Sequence, residues 1–82
     1  MTLWEALKTG EKYLEEREIP DAALDAWYLL EDILKKEHGE KVNRAWFLMN
    51  RQEEIGERLH TAYTQELEQR GTHVPLQYIT GE

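Results

Sequence analysis

Cysteine and serine are both absent from this chain of 82 residues. Without cysteine it can form no disulfide, thiolate metal site or cysteine nucleophile. Threonine hydroxyls remain, but none has a recognisable base and orienting partner in the sequence. No glycine-rich phosphate loop or dinucleotide fingerprint is present either. We therefore predict that this segment contributes no catalytic and no cofactor-binding residue.

Positive charge and long apolar runs are also scarce. The chain has 17 acidic and 10 basic residues and a net charge of −7, which disfavours binding to nucleic acid or to an anionic membrane. No stretch approaches the roughly 18 apolar residues of a membrane span, and residues 1–5 lack the organisation of a secretory signal. We expect a cytoplasmic protein with no nucleic-acid and no membrane partner. A basic protein partner would be favoured electrostatically.

Two further classes of site are disfavoured by residue spacing. His38, His60 and His73 form no i, i+4 pair, so no helical metal site is predicted. A helix-turn-helix nucleic-acid binder is disfavoured because acidic residues crowd the helix that would face phosphate. These acidic residues are Asp25, Glu31 and Asp32.

Helical spacing of apolar residues dominates the first half of the chain. Leu3, Leu7 and Leu14 predict a first helix over residues 2–17, with a capping box formed by Thr2 and Glu5. Gly10 inside this helix marks either close helix packing or a weak point. A second helix follows Pro20, with Asp21 as its predicted N-cap, and ends at residues 38–39.

The second half continues the helical pattern. Asn43 predicts the cap of a short third helix that carries Trp46, Phe47 and Met49. Residues 50–53 resemble a capping box and predict the start of a long fourth helix that Gly71 closes. Its apolar residues repeat every four positions: Ile55, Leu59, Tyr63 and Leu67. Pro75 then starts a short helical turn. No alternating strand pattern occurs, so we predict an all-α fold, a small bundle of four helices plus a short C-terminal fifth helix.

The last residues are unusually apolar for the end of a domain. Val74, Leu76, Tyr78 and Ile79 need burial, and Gly81 has the character of a turn into another element. The simplest explanation is that the chain is the front piece of a longer protein. The alternative for these residues, that they close the core of the bundle itself, stays open.

A family resemblance bears on this choice. Residues 75–82, Pro-Leu-Gln-Tyr-Ile-Thr-Gly-Glu, preceded by Arg70, resemble the end of the N-terminal domain in the HemK/PrmC family of protein-(glutamine-N5) methyltransferases. Residues 25–34 resemble that family's Asp-Ala followed by a double leucine in the second helix. The order of helices agrees as well. The resemblance covers essentially the whole chain, and its specific part is residues 75–82.

The resemblance implies a division of labour between two domains. Residues 1–73 would form a helical substrate-recognition domain, and residues 74–82 a short helix and the start of a linker to a Rossmann-like catalytic domain. That domain would bind S-adenosylmethionine in the full-length parent protein. The implied substrate is the glutamine of the Gly-Gly-Gln loop in a class I peptide chain release factor. An interdomain seam with the chain's own catalytic domain would then contain Pro75, Leu76, Tyr78, Ile79 and Gly81.

The surface that would hold the release factor is predicted from exposed aromatic and basic residues. Large exposed aromatic side chains often mark binding surfaces, although they also serve as core. Our candidates on the second and third helices are Trp27, Arg44, Trp46, Phe47 and Arg51. The alternative function is a free-standing helical adaptor that binds another protein through its acidic and aromatic surface.

Overall fold

Five α-helices make up the regular structure of residues 1–81, the part of the chain that the computed structural model describes. They are α1 (Leu3–Glu16), α2 (Ala22–His38), α3 (Arg44–Asn50), α4 (Glu57–Gly71) and α5 (Leu76–Thr80). No strand occurs within these residues, where Thr2 and Glu54 form an isolated antiparallel bridge. The predicted all-α bundle of four helices and a short fifth is therefore confirmed.

The core lies where α1, α2 and α4 pack against one another, and α5 packs on α2 and α4. Apolar side chains on the inner faces are removed from water, which is the main force that holds the helices together. The buried residues are Leu3, Ala6, Leu7, Leu14, Ile19, Ala22, Ala26, Leu29, Leu30, Ile33, Leu34, Val42, Phe47, Ile55, Tyr63 and Leu67. The third helix is anchored in this core through Phe47.

Local signals fix several helix ends as predicted. The Thr2 hydroxyl accepts a 3.1 Å hydrogen bond from the backbone N–H of Glu5, and the Glu5 carboxylate accepts one of 2.8 Å from the Thr2 N–H. The Asn43 side chain accepts a 2.8 Å bond from the Trp46 N–H and so caps α3. Gly39, with φ of +89°, ends α2. In contrast, Asp21 makes no side-chain capping bond, because its own backbone is left-handed with φ of +56°.

The fourth helix begins at Glu57 rather than near residue 50, so the predicted start is wrong. Tertiary pairing takes residues 51–55 out of helical conformation. Backbone bonds of 2.9 to 3.0 Å join this segment to the start of the chain, from Leu3 N–H to the Glu53 carbonyl and from Ile55 N–H to the Met1 carbonyl. Ile55 is buried in an extended segment, and its four-residue spacing from Leu59 does not reflect a shared helix.

Two glycines allow helices to approach closely. Gly10 is buried under Tyr63 of α4, so its role is close helix packing. At the end of α4, a β-carbon on Gly71 would lie 2.7 Å from Cδ of Arg17 and 3.0 Å from Cε1 of Tyr13. Gly71 is the last residue of α4, as predicted, but the positive φ that turns the chain, +69°, belongs to His73.

Candidate functional site

The features of residues 1–81 that bear on function lie on the surface. Within residues 1–81 no group of three or more His, Cys, Asp or Glu side chains could hold a metal ion. No helix in that range is long and apolar enough to cross a membrane. The glycines are scattered, and within residues 1–81 none opens a strand-to-helix phosphate loop.

Phe47 does not belong on a partner-facing surface, and its assignment as a contact residue is corrected here. Its side chain is 0% exposed. It packs edge-on against Trp27, with ring centroids 5.2 Å apart, and against Trp4 at 6.4 Å. In a short amphipathic helix one aromatic side chain has to anchor the element in the core, and Phe47 does so. Its remaining contribution to a surface is to support Trp27.

Arg44 and Trp27 do lie together at the surface. The Arg44 guanidinium carbon is 4.9 Å from the centre of the Trp27 ring and 5.4 Å from that of Phe47, which is the geometry of a cation–π contact. Arg44 is exposed, and Trp27 is half-buried. We call these three residues the Arg44 cluster. It presents a positive charge on an otherwise acidic chain.

Trp46 and Arg51 are placed elsewhere. Trp46 is half-buried beside His38, with ring centroids 5.1 Å apart, and lines a groove of about 400 Å³. Arg51 is exposed at the end of α3, where its Nη1 donates a 2.8 Å hydrogen bond to the Leu48 carbonyl. The five predicted contact residues thus divide into one cluster, one groove residue and one helix-end residue.

The α5 helix has two unlike faces. Leu76 and Ile79 are half-buried and pack on the core of the bundle, whereas Tyr78 is 76% exposed. Pro75 precedes the helix with an extended ψ of 141°, and exposed Gly81 ends it with φ of +84°. The inner face of α5 therefore closes the core, and its outer face remains uncovered. Glu82, the last residue of the predicted linker, lies outside the described residues.

An ion pair that sequence reasoning missed holds the start of α5 in place. Nε of Arg70 donates a 2.9 Å hydrogen bond to the Asp25 carboxylate, and Nη1 donates one of 3.2 Å to the Val74 carbonyl. Both charged side chains are only 13–15% exposed. Asp25 and Arg70 both belong to the parts of the chain that carry the family resemblance. That resemblance was the signal in the sequence from which their contact could have been found.

A second polar group missed from sequence lies between α2 and α4. Nζ of Lys36 is 3.0 Å from Oδ2 of Asp32 and 3.9 Å from Oε2 of Glu66. Burial raises the pKa of Glu66 to about 8, and the charge of Asp32 and a hydrogen bond to it add to this effect while Lys36 opposes it. Oε1 of Glu66 is buried without a hydrogen-bond partner among residues 1–81, and Oδ2 of Asp32, also buried, contacts Lys36 only as an ion pair. A proton held between the two carboxyl groups would satisfy both.

Together these features define a small all-α domain whose distinctive residues lie on its surface and at its C-terminal helix. Residues 5–81 match the family model of the PrmC N-terminal domain, and the chain belongs to that family. It is 33% identical over 76 residues to the release factor glutamine methyltransferase of Leptospira interrogans. That alignment covers 93% of this chain and 24% of the relative, so the chain spans about a quarter of that protein's length. No solved structure matches.

Proposed function

We propose that this chain is the N-terminal substrate-recognition domain of a release factor glutamine (N5) methyltransferase that uses S-adenosylmethionine. The observation that carries the proposal is the alignment, which covers 93% of this chain but only 24% of a protein named for that activity. Residues 1–73 would recognise a class I release factor in the cytoplasm. Residues 74–82 would lead into the catalytic domain.

The chemistry explains why a separate recognition domain is useful. A side-chain amide is a weak nucleophile, so methylation of the glutamine in a Gly-Gly-Gln loop requires close positioning against the methyl donor. Binding energy gained far from the reacting atoms can supply that positioning. A helical domain that binds the release factor would therefore raise the rate of methyl transfer without contacting the glutamine.

The proposed contact surface combines the Arg44 cluster with Trp46 and Arg51. Arg44 and Trp27 offer a charged group and an aromatic face side by side, a combination enriched at binding hot spots. Phe47 would act only by supporting Trp27. The outer face of α5, with Tyr78, would meet the catalytic domain, flanked by Pro75 and Gly81.

The test compares the parent enzyme with a form that lacks residues 1–73, on two substrates. On an intact class I release factor, we expect the truncated form to have a higher KM and a lower kcat/KM. On a short peptide that contains Gly-Gly-Gln, both forms should be equally active, because the peptide cannot reach the N-terminal domain. Equal activity on the intact factor would refute the recognition role.

A pair of point variants assigns the surface. Arg44→Ala in the parent enzyme should raise KM for the release factor, whereas Lys41→Ala should not. Lys41 is exposed in the loop before α3 and belongs neither to the Arg44 cluster nor to the groove that Trp46 lines. Both variants should keep full activity on the short peptide. If both leave KM unchanged, the Arg44 cluster is not the contact.

The competing function, a free-standing adaptor, is favoured by the exposed apolar residues of α3, Leu48 and Met49, which are 40% and 86% exposed. It predicts a native protein whose intact mass equals the 9.8 kDa of this chain. The methyltransferase proposal predicts a much larger mass, because a catalytic domain would be covalently attached. Detection in the source cells with an antibody against this bundle decides between them.

A further inference from the structure

The groove beside Trp46 has an apolar floor and a charged rim. Its volume of about 400 Å³ lies within the range of small-molecule and side-chain sites. Aliphatic residues from α1, α2, α4 and the segment before α4 form the floor: Leu3, Leu34, Ile55 and Leu59. A long side chain that enters this groove would bury its stem against them and against Trp46.

The rim carries an excess of negative charge. Four glutamates, Glu37, Glu53, Glu54 and Glu57, line the groove together with one basic residue, Arg58. Two of these glutamates already have partners. Glu37 lies 3.6 Å from Arg58, and Glu54 lies 2.9 Å from the Met1 ammonium group.

The other two rim glutamates, Glu53 and Glu57, are exposed and form no ion pair with any residue in the range 1–81. Their charge is therefore available to a partner. A cation that approaches the groove would meet two carboxylates whose charge the bundle itself does not neutralise.

The tryptophans of this chain show what the groove lacks. Trp4 has the Lys8 ammonium 5.0 Å from its ring centre, and Trp27 has the Arg44 guanidinium at 4.9 Å. Within residues 1–81 no lysine or arginine covers Trp46, whose ring contacts His38 instead. Trp46 is thus the tryptophan at which a cation from another protein could supply the cation–π contact.

We propose that the Trp46 groove binds an arginine side chain presented by an exposed segment of the protein partner. The stem would lie along Trp46 and Ile55, and the guanidinium would pair with Glu53 and Glu57. Arginine suits the groove better than lysine, because its planar guanidinium stacks on aromatic rings and pairs with carboxylates through two hydrogen bonds. This proposal deepens the recognition role and rests on the proposed function only for the identity of the partner.

The test is an NMR titration of the 15N-labelled 82-residue chain with a capped Gly-Ala-Arg-Ala-Gly peptide. The control peptide carries citrulline, which keeps the length and shape of arginine and removes its charge. We expect a saturable shift of the Trp46 indole N–H and of the Ile55 amide with the arginine peptide, with an affinity on the order of millimolar. The citrulline peptide should shift neither signal.

A charge variant and a matched control locate the site. Glu53→Gln combined with Glu57→Gln should weaken binding roughly threefold to tenfold, the effect of two exposed ion pairs. Glu15→Gln combined with Glu16→Gln removes the same charge at the other end of α1, about 18 Å along the helix from Leu3, and should leave the affinity unchanged. Both variants replace exposed side chains, so the native amide spectrum should persist.

Three outcomes would overturn the proposal. The first is equal shifts with the citrulline peptide, and the second is shifts that do not include the Trp46 signal. The third is an equal loss of affinity in the two double variants, which would indicate attraction to the overall charge of −7. None of these outcomes bears on whether the parent enzyme needs residues 1–73 for an intact release factor. The two proposals can therefore fail separately.

Discussion

The hydroxyl group of Tyr63 occupies the space in which a β-carbon on Gly10 would lie. The Cζ atom of Tyr63 would be 2.9 Å from that carbon. The same hydroxyl donates a 2.9 Å hydrogen bond to the Ala26 carbonyl, and burial raises the pKa of Tyr63, so that the donor keeps its proton. One side chain from α4 therefore fixes its distance to α1 and to α2 together.

This contact predicts a measurable coupling between positions 10 and 63. Gly10→Ala should reduce the free energy of unfolding by about 1–3 kcal/mol through overpacking, although alanine favours helix formation. Tyr63→Phe should cost about 0.5–1.5 kcal/mol for the lost hydrogen bond. The double variant should lose less than the sum, because phenylalanine lacks the clashing oxygen. Urea unfolding of the four proteins measures this, and strictly additive losses would contradict it.

The Asp25–Arg70 pair predicts that lysine cannot replace Arg70. Arg70 bonds the Asp25 carboxylate and the Val74 carbonyl through different nitrogens, and a single ammonium group cannot reproduce that fork. We expect Arg70→Lys to cost about 1.5–3 kcal/mol and to speed amide hydrogen exchange in residues 74–80.

Arg58→Lys is the matched control for this experiment. Arg58 is 86% exposed and its nearest carboxylate, on Glu37, is 3.6 Å away, so its replacement should change little. Unchanged exchange in residues 74–80 of Arg70→Lys would mean that α5 is held by its apolar face alone.

The raised pKa of Glu66 predicts a loss of stability as pH rises. The ordinary pKa is 4.5 and the folded value is about 8, so between these values the folded state keeps a proton that the unfolded state releases. The free energy of unfolding should therefore decrease as pH rises through this window and level off above it. The neighbouring groups that modify this titration are Asp32, which adds to the rise in pKa, and Lys36, which opposes it.

Glu66→Gln keeps the shape of the protonated form and removes the titration. We expect it to be more stable than the unmodified chain at about pH 8, by about 1–3 kcal/mol, the cost of a buried group without its hydrogen bond. The two should converge toward about pH 5. Glu68→Gln, exposed on the same helix, serves as control. Parallel stability profiles for Glu66→Gln and the unmodified chain from pH 5 to pH 8 would refute the assignment.

The two faces of α5 predict opposite responses to substitution. Leu76→Ala should cost this chain about 1–2 kcal/mol, below the values for fully buried leucine, because Leu76 is half-buried. Tyr78→Ser should leave its stability within about 0.5 kcal/mol. If Tyr78 meets the catalytic domain, Tyr78→Ser should nevertheless lower the melting temperature of the parent enzyme. An unaffected parent would remove Tyr78 from the seam.

Sequence reasoning succeeded where structure is decided by neighbours in the chain. The capping box of Thr2 and Glu5 and the Asn43 cap each involve residues three apart, and both are confirmed. The inner faces of α1 and α2 followed from helical spacing for the same reason. The family resemblance is also confirmed, since residues 5–81 match the family model, and a motif is read directly from the chain.

Sequence reasoning failed where residues far apart in the chain determine the structure. Ile55 has helical spacing with Leu59, yet its backbone pairs with Met1, and no local pattern reveals that bond. Phe47 directly follows Trp46, and both are aromatic, so the sequence does not distinguish them. Phe47 lies on a different side of the short helix, and that side faces the core. The pKa of Glu66 is likewise raised by burial and then by Asp32, a residue of a different helix. The sequence thus supplied candidate contact residues, but which of them lie together depends on contacts between elements that no local pattern reveals.

The bonds between the chain's first residues and the segment before α4 also bear on the order of folding. The Met1 ammonium group and Glu54 are 53 positions apart in sequence. On the ribosome, that separation takes on the order of seconds to synthesise. The helices α1 and α2 can meet during this time, but the backbone of Leu3 has no partner until Glu53 has emerged. The backbone of residues 1–3 can therefore be fixed only after the segment before α4 has been made.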